Sequence, residues 1–184
     1  MAEAIPTGGE VNGFAQQDVP ARAAPLNALL AFWRQRCTEL GRLPARADLA
    51  PEQMIGFLPF VTLIDVLEAP RRFKFRLVGT GVVGHTGREV TARFADAELF
   101  ADRADDVIRY FELCVAHARP AYARGRYRTL PTDREVAFEA LLTPLRNRPE
   151  TGSGADMMLG ALVGERLSYG ESMGRFEYDE MRLI

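Results

Sequence analysis

The run Met157-Met158-Leu159-Gly160-Ala161-Leu162-Val163 constrains the fold of this chain most, because it leaves neither face of an extended segment polar. Successive side chains of a strand point to opposite faces. A segment that is apolar at nearly every step must therefore be covered on both sides. We read residues 155–163 as a central strand of a sheet with a layer packed over each face.

Two hairpins supply the other strands of that sheet. Val61 to Leu67 and Phe73 to Gly79 are rich in β-branched and aromatic residues, and Glu68-Ala69-Pro70-Arg71 divides them as a turn. The expected register sets Thr62, Ile64 and Val66 beside Leu77, Phe75 and Phe73 on one face. On the other, Val61, Leu63 and Asp65 lie beside Val78, Arg76 and Lys74, with Asp65 and Lys74 a favourable cross-strand pair. The second hairpin joins Tyr122–Thr129 to Glu135–Leu142 through Leu130-Pro131-Thr132-Asp133. Its register opposes Arg124 to Glu139 and Arg128 to Glu135.

The covers are helices. Leu26, Leu29, Leu30, Trp33, Cys37 and Leu40 recur at helical spacing, while Arg34, Gln35, Glu39 and Arg42 fill the other face. Pro25 suits the first turn and Gly41 the stop. This amphipathic stripe either seals the outer sheet face or packs against a second copy; the two readings are compatible. Pro51 opens a short helical turn that ends near Leu58-Pro59. Glycines at 79, 81, 84 and 87 punctuate a region of short helices and loops. Asp102 is then expected to cap a longer helix, with Asp105 and Asp106 in its first turn. Val107, Ile108, Phe111, Cys114 and Val115 form its buried stripe, and Pro120 stops it. The organisation expected is a flexible tail over residues 1–22, one domain over 23–165, and a polar tail over 166–184. Phe176, Tyr178, Met181 and Leu183 are scattered along that last tail, which reads as disordered or as a helix ordered by a partner.

At 184 residues the chain suffices for one well-filled core. A formal charge of −2 gives no basic footprint for nucleic acid. Met1–Asp18 lacks the basic and apolar regions of a signal peptide, and no apolar run approaches membrane-spanning length. A cytoplasmic protein without membrane insertion is the expectation. Cys37 and Cys114 read as two buried free thiols.

The order helix, two strands, short helices, longer helix, three strands is that of a PAS fold. Phe73-Lys74-Phe75-Arg76-Leu77-Val78-Gly79-Thr80, followed by Gly87-Arg88-Glu89-Val90-Thr91-Ala92-Arg93, resembles the PAS segment in which a second strand runs into a Gly-Arg-acidic-x-Thr stretch. With Leu58-Pro59 and the Trp33 helix, the chain resembles, over 26–164, a bacterial family of stand-alone PAS-like proteins. Ala92 stands where the Thr-Gly-Arg form of the motif has Gly, which implies a tighter or shifted turn. The resemblance implies an α+β fold of five antiparallel strands with helices on one face and an N-terminal flanking helix. It also implies a cleft for a small apolar or planar ligand, with Phe75, Phe94, Tyr110, Phe111, Cys114, His117 and Tyr127 as candidate lining. Such domains often dimerise through the flanking helix, here Leu26, Leu29, Leu30, Trp33 and Cys37. The function implied is a sensor or adaptor in signal transduction, acting through protein–protein contact with a signalling partner in trans.

Motifs for catalysis are sparse, and no catalytic residue, metal site or required cofactor is read from the sequence. There is no Cys-x-x-Cys, His-Glu-x-x-His or Walker loop. Gly79-x-Gly81-x-x-Gly84 has the outline of a dinucleotide fingerprint, but it follows a hairpin strand rather than opening a parallel βαβ unit. His117, near the end of the long helix, could ligate haem iron; the preferred reading is a helix-terminal histidine favoured by the dipole. Cys114 lies on the longer helix, the wrong place for flavin photochemistry of the LOV type. Arg124, Arg126 and Arg128 suggest an anion site, against the simpler reading of cross-strand charge pairs. The rival from another class is a small-molecule enzyme using the same cleft, with Arg76 and Tyr127 around an acidic substrate.

Overall fold

A computed structural model describes residues 23–149 and 154–184. The tail expected over residues 1–22 and the loop positions 150–153 lie outside the described residues. In chain order the elements are α1 (Ala24–Leu40), β1 (Val61–Leu67), β2 (Arg72–Val78), α2 (Thr80–Thr86), α3 (Ala97–Phe100), α4 (Ala104–His117), β3 (Ala121–Leu130), β4 (Glu135–Leu145), β5 (Met157–Gly164) and β6 (Ser172–Leu183). Single 3₁₀ turns at Arg46–Asp48, Pro51–Gln53 and Leu58–Phe60 lead from α1 to β1, and another at Ala101–Arg103 joins α3 to α4.

The strands form one antiparallel sheet in the order β2-β1-β5-β4-β3-β6. β5 lies between β1 and β4, as its two apolar faces require. The sheet has six strands rather than five: residues 172–183, expected to belong to a polar tail, pair along β3 from Ala121↔Leu183 to Leu130↔Ser172. Register shifts between Arg124 and Gly125, and between Tyr127 and Thr129, accommodate extra residues of β6. The apolar residues of β6 therefore recur at uneven steps (Met173, Phe176, Tyr178, Met181, Leu183), neither a clean strand period nor a helical one.

Three local expectations are corrected. A bulge between Leu63 and Ile64 in the first hairpin sets Thr62 opposite Val78 and Leu63 opposite Leu77, while Ile64↔Phe75, Asp65↔Lys74 and Val66↔Phe73 hold. Asp65 makes its ion pair with Arg76 (2.8 Å) instead of the Lys74 opposite it. α4 begins at Ala104 with no side-chain cap, and Asp102 sits in the preceding 3₁₀ turn, 3.9 Å from Arg175. In the second hairpin Arg124↔Glu139 and Arg128↔Glu135 are opposed as expected. The closer charges are nonetheless Arg124–Glu180 (3.0 Å), Arg126–Asp179 (3.0 Å) and Arg128–Asp133 (3.2 Å). β6 supplies two of these carboxylates, which a five-stranded reading could not anticipate.

The two faces of the sheet carry separate cores. On the outer face α1 packs Leu26, Leu29, Leu30, Phe32, Trp33 and Cys37 against Val61, Tyr122, Leu141, Leu145, Met157, Leu159 and Ile184. Gly41, in the left-handed region (φ 63°), ends the helix by donating its N–H to the Cys37 carbonyl. β3 starts at Ala121, opposite Leu142, so it does not extend alongside Pro144. Pro144 has no N–H to leave unpaired, and the Trp33 indole donates to its carbonyl at 2.8 Å. The inner face packs Ile64, Val66, Phe73, Phe75, Phe138 and Phe176 against Val107, Phe111 and Cys114 of α4, with α2 and α3 at the flank.

The segment linking β6 to the rest is held by Glu171, which accepts from Thr132 Oγ1, Arg134 Nη2 (3.1 Å) and the Ser168 N–H (2.9 Å). These donors, Thr132 first, hold its carboxyl down at about 2.

Candidate functional site

The inner face of the sheet does not fill. A cavity of about 120 Å³ remains between it and the helices. Thr62 and Ile64 of β1, Phe75 and Val78 of β2, and Phe138, Ala140 and Leu142 of β4 form its floor. Val82 and Thr86 of α2, Leu99 and Phe100 of α3, and Val107, Tyr110 and Phe111 of α4 form the roof, with Met173, Phe176 and Tyr178 of β6 closing one side. The cause is partly local. Ala140 places one of the smallest side chains on the floor, and α2 and α3 are too short to lay a continuous apolar stripe over it.

A second, more open space of about 250 Å³ lies beside α3 and the start of α4, bordered by Ala101, Asp102, Arg103, Leu130 and Arg175. Arg88, Leu99, Phe100 and Phe176 line both spaces, so these side chains form the wall between interior and surface. Phe100 and Phe176 meet edge to face across that wall, centroids 6.0 Å apart. Ala101, next to Phe100, has φ 50° and ψ −126°, a sparsely populated conformation for a residue with a Cβ.

The polar groups of the cavity are few. The Tyr110 hydroxyl donates to the Ala121 carbonyl, and the Thr86 hydroxyl faces the Val82 and Arg88 carbonyls. Among the described residues the Thr62 hydroxyl makes no hydrogen bond, and the Arg88 guanidinium makes one, Nη1 to the Leu99 carbonyl at 3.2 Å. No carboxylate forms an ion pair with Arg88 among the described residues. Burial pushes the Tyr110 and Tyr178 hydroxyls and the Cys114 thiol well up, and Cys37 up to about 12. These groups stay protonated at neutral pH, so neither thiol offers a nucleophile.

Of the residues proposed from sequence, Phe75, Tyr110 and Phe111 line the cavity. Cys114 and Tyr127 are buried in the same core but do not line it, and the Tyr127 hydroxyl donates to the His85 carbonyl. Phe94 lies on the flank of β2 beneath the Arg72 guanidinium, 3.6 Å from its ring centre. His117 is exposed at the end of α4, its Nδ1 3.1 Å from the Leu113 carbonyl, and does not line the cavity. Leu26, Leu29, Leu30, Trp33 and Cys37 are buried in their own subunit, the intramolecular alternative for that stripe. The glycines of the dinucleotide-like run answer to packing: a Cβ on Gly79 would stand 2.3 Å from the Pro59 carbonyl oxygen, and one on Gly81 2.8 Å from the Phe60 ring.

Sequence reasoning missed Arg88, Thr62, Phe100, Phe176 and Tyr178. Arg88 belongs to the Gly-Arg-acidic stretch, and nothing in its sequence neighbours signals that it borders an apolar space. Phe176 and Tyr178 were hidden by the uneven steps of β6.

An antiparallel sheet with helices across one face and an apolar cavity beneath them defines a small α+β module. The chain belongs to the PAS domain family, whose match covers residues 21–163. Family members are generally sensory or signalling domains, typically not catalytic ones. The match ends within β5, so β6 and its contribution to the cavity wall lie outside it. No curated protein and no solved structure matches the chain. Among the described residues, no helix is long and apolar enough to cross a membrane, and no cluster of three or more His, Cys, Asp or Glu side chains suits a metal ion.

Proposed function

We propose that the chain is a cytoplasmic sensor or adaptor that takes part in signal transduction through protein–protein contact, with the inner cavity as its input. The observation that carries this reading is the apolar cavity of about 120 Å³ walled by short helices on one side of an otherwise well-packed sheet. An engineered cavity of about 150 Å³ accepts benzene, so the space suits a small apolar or planar molecule about the size of one ring.

The output is a shift of population between two arrangements of α2, α3 and α4 over the sheet. A ligand moves such an equilibrium only by binding one arrangement better than the other. A homodimer and a signalling partner supplied in trans complete the proposal. Because the apolar stripe of α1 is buried at home, a second copy would meet the exposed positions Asn27, Ala31 and Gln35 of that helix.

Native mass spectrometry of the purified protein tests the reading through subunit count and retained mass. A dimer carrying a small adduct, with the adduct lost on Ala140→Leu, is the expected result. A monomer that takes up no apolar small molecule even when one is added in excess would sink it.

A further inference from the structure

We infer that the cavity selects a small apolar carboxylate, a ring or short chain whose acid group pairs with Arg88. This rests on the proposed reading of the cavity as a ligand site and names the chemistry that site would prefer.

Three observations converge on Arg88. It lines both the interior cavity and the surface space beside α3, so it lies where a ligand's polar end would remain once its apolar body is buried. Among the described residues it pairs with no carboxylate. Its side chain makes one hydrogen bond, to the Leu99 carbonyl, although a guanidinium carries five N–H donors. The other polar side chains on the lining are neutral hydroxyls, and that of Tyr110 is already engaged with the Ala121 carbonyl. A half-buried cation without a counter-ion, set into an apolar wall, favours an anion. Guanidinium geometry favours a planar, two-oxygen anion such as carboxylate.

The volume limits the apolar part. About 120 Å³ is slightly below the engineered cavity that holds benzene, which excludes fused multi-ring bodies in this conformation. Phe100 and Phe176 flank Arg88 in the shared wall, so aromatic edges would border the carboxylate while the ring contacts Ile64, Phe111 and Ala140. Thr62 Oγ1 is a second donor with no partner among the described residues.

Benzoate and toluene are the probes, one with the acid and one without, titrated into the full chain and followed by ¹H–¹⁵N chemical shifts. Wild type is expected to bind both. Arg88→Gln should weaken benzoate about tenfold or more, the scale of a lost charge-assisted pair, and leave toluene within about twofold. Ala140→Leu, which fills the floor, should abolish both and so separates cavity binding from surface attraction. Toluene binding without benzoate binding, or benzoate binding unchanged in Arg88→Gln, overturns the carboxylate inference and leaves the cavity reading standing. Failure of both probes with folded wild type overturns the two together. Should Arg88→Gln not fold, benzoate against benzamide on wild type decides: a clear preference for the acid supports the inference, and equal affinity overturns it.

Discussion

The same sheet is packed in two different ways on its two faces. On the outer face one 17-residue helix lays an unbroken stripe across β4 and β5, with Leu26 and Leu29 fully buried and Trp33 anchored to the Pro144 carbonyl. On the inner face three helices of 7, 4 and 14 residues share the task, with a strained Ala101 between two of them, and a cavity remains beneath. Strands alternate their side chains, so one set of strands can give one face to stability and the other to binding. The difference lies in the covering elements: a long helix excludes space, whereas short helices joined by turns leave it.

The sharpest way to break this comparison is to attack the sealed face. Trp33→Ala should lower unfolding free energy by about 3–5 kcal/mol, measured by urea titration, because it empties a filled site and orphans the Pro144 carbonyl. A loss below about 1 kcal/mol would mean the outer face is not the stabilising one.

A smaller effect, read along the pH axis, is expected where β6 joins the inner side. Glu171 is held at about 2 against an ordinary 4.5, chiefly by the Thr132 hydroxyl and then by Arg134. A carboxyl depressed in the folded state contributes stability that is fully present above about 4.5 and is lost as pH falls toward 2. Urea midpoints should therefore decline across that window, and Glu171→Gln should flatten the Glu171 share of the decline while lowering the midpoint at pH 7. Parallel wild-type and variant curves would show that the clasp does not act.

The two faces also differed in how legible they were. The outer face could be read from the sequence because each of its parts keeps its period: the α1 stripe from Leu26 to Cys37 is helical, and Met157 to Val163 is apolar on both faces. The inner face could not be read so far. Val107, Phe111 and Cys114 announced α4, but the cavity arises from what is missing above Ala140, and an absence leaves no residue pattern. β6 was illegible because its bulges turn an alternation into steps of uneven length. Only with that strand paired to β3 do Met173, Phe176 and Tyr178 come to the wall that Arg88 also lines.

Filling the open face should have the opposite sign to emptying the closed one. Ala140→Val projects two added carbons into the cavity without touching α1, and should raise stability by about 1 kcal/mol by added apolar burial. The same variant should weaken toluene binding. Destabilisation instead would mean the inner face is already filled in solution, which removes the contrast.

The smallest expected effect concerns Ala92, in the loop that covers the free edge of β2. Its N–H donates to the Phe75 carbonyl at 2.7 Å, and the flanking Arg93 and Ala95 continue that contact with Phe75 and Phe73. The turn holds Ala92 at φ 67°, where a Cβ is disfavoured. Ala92→Gly removes that strain but adds freedom to the unfolded chain, and the two terms oppose each other. A net gain of about 0.5 kcal/mol is expected, read as a small rise in urea midpoint with unchanged slope. A loss would show that the left-handed turn is held by its neighbours at no strain, and that the β2 edge is as tightly determined as the face under α1.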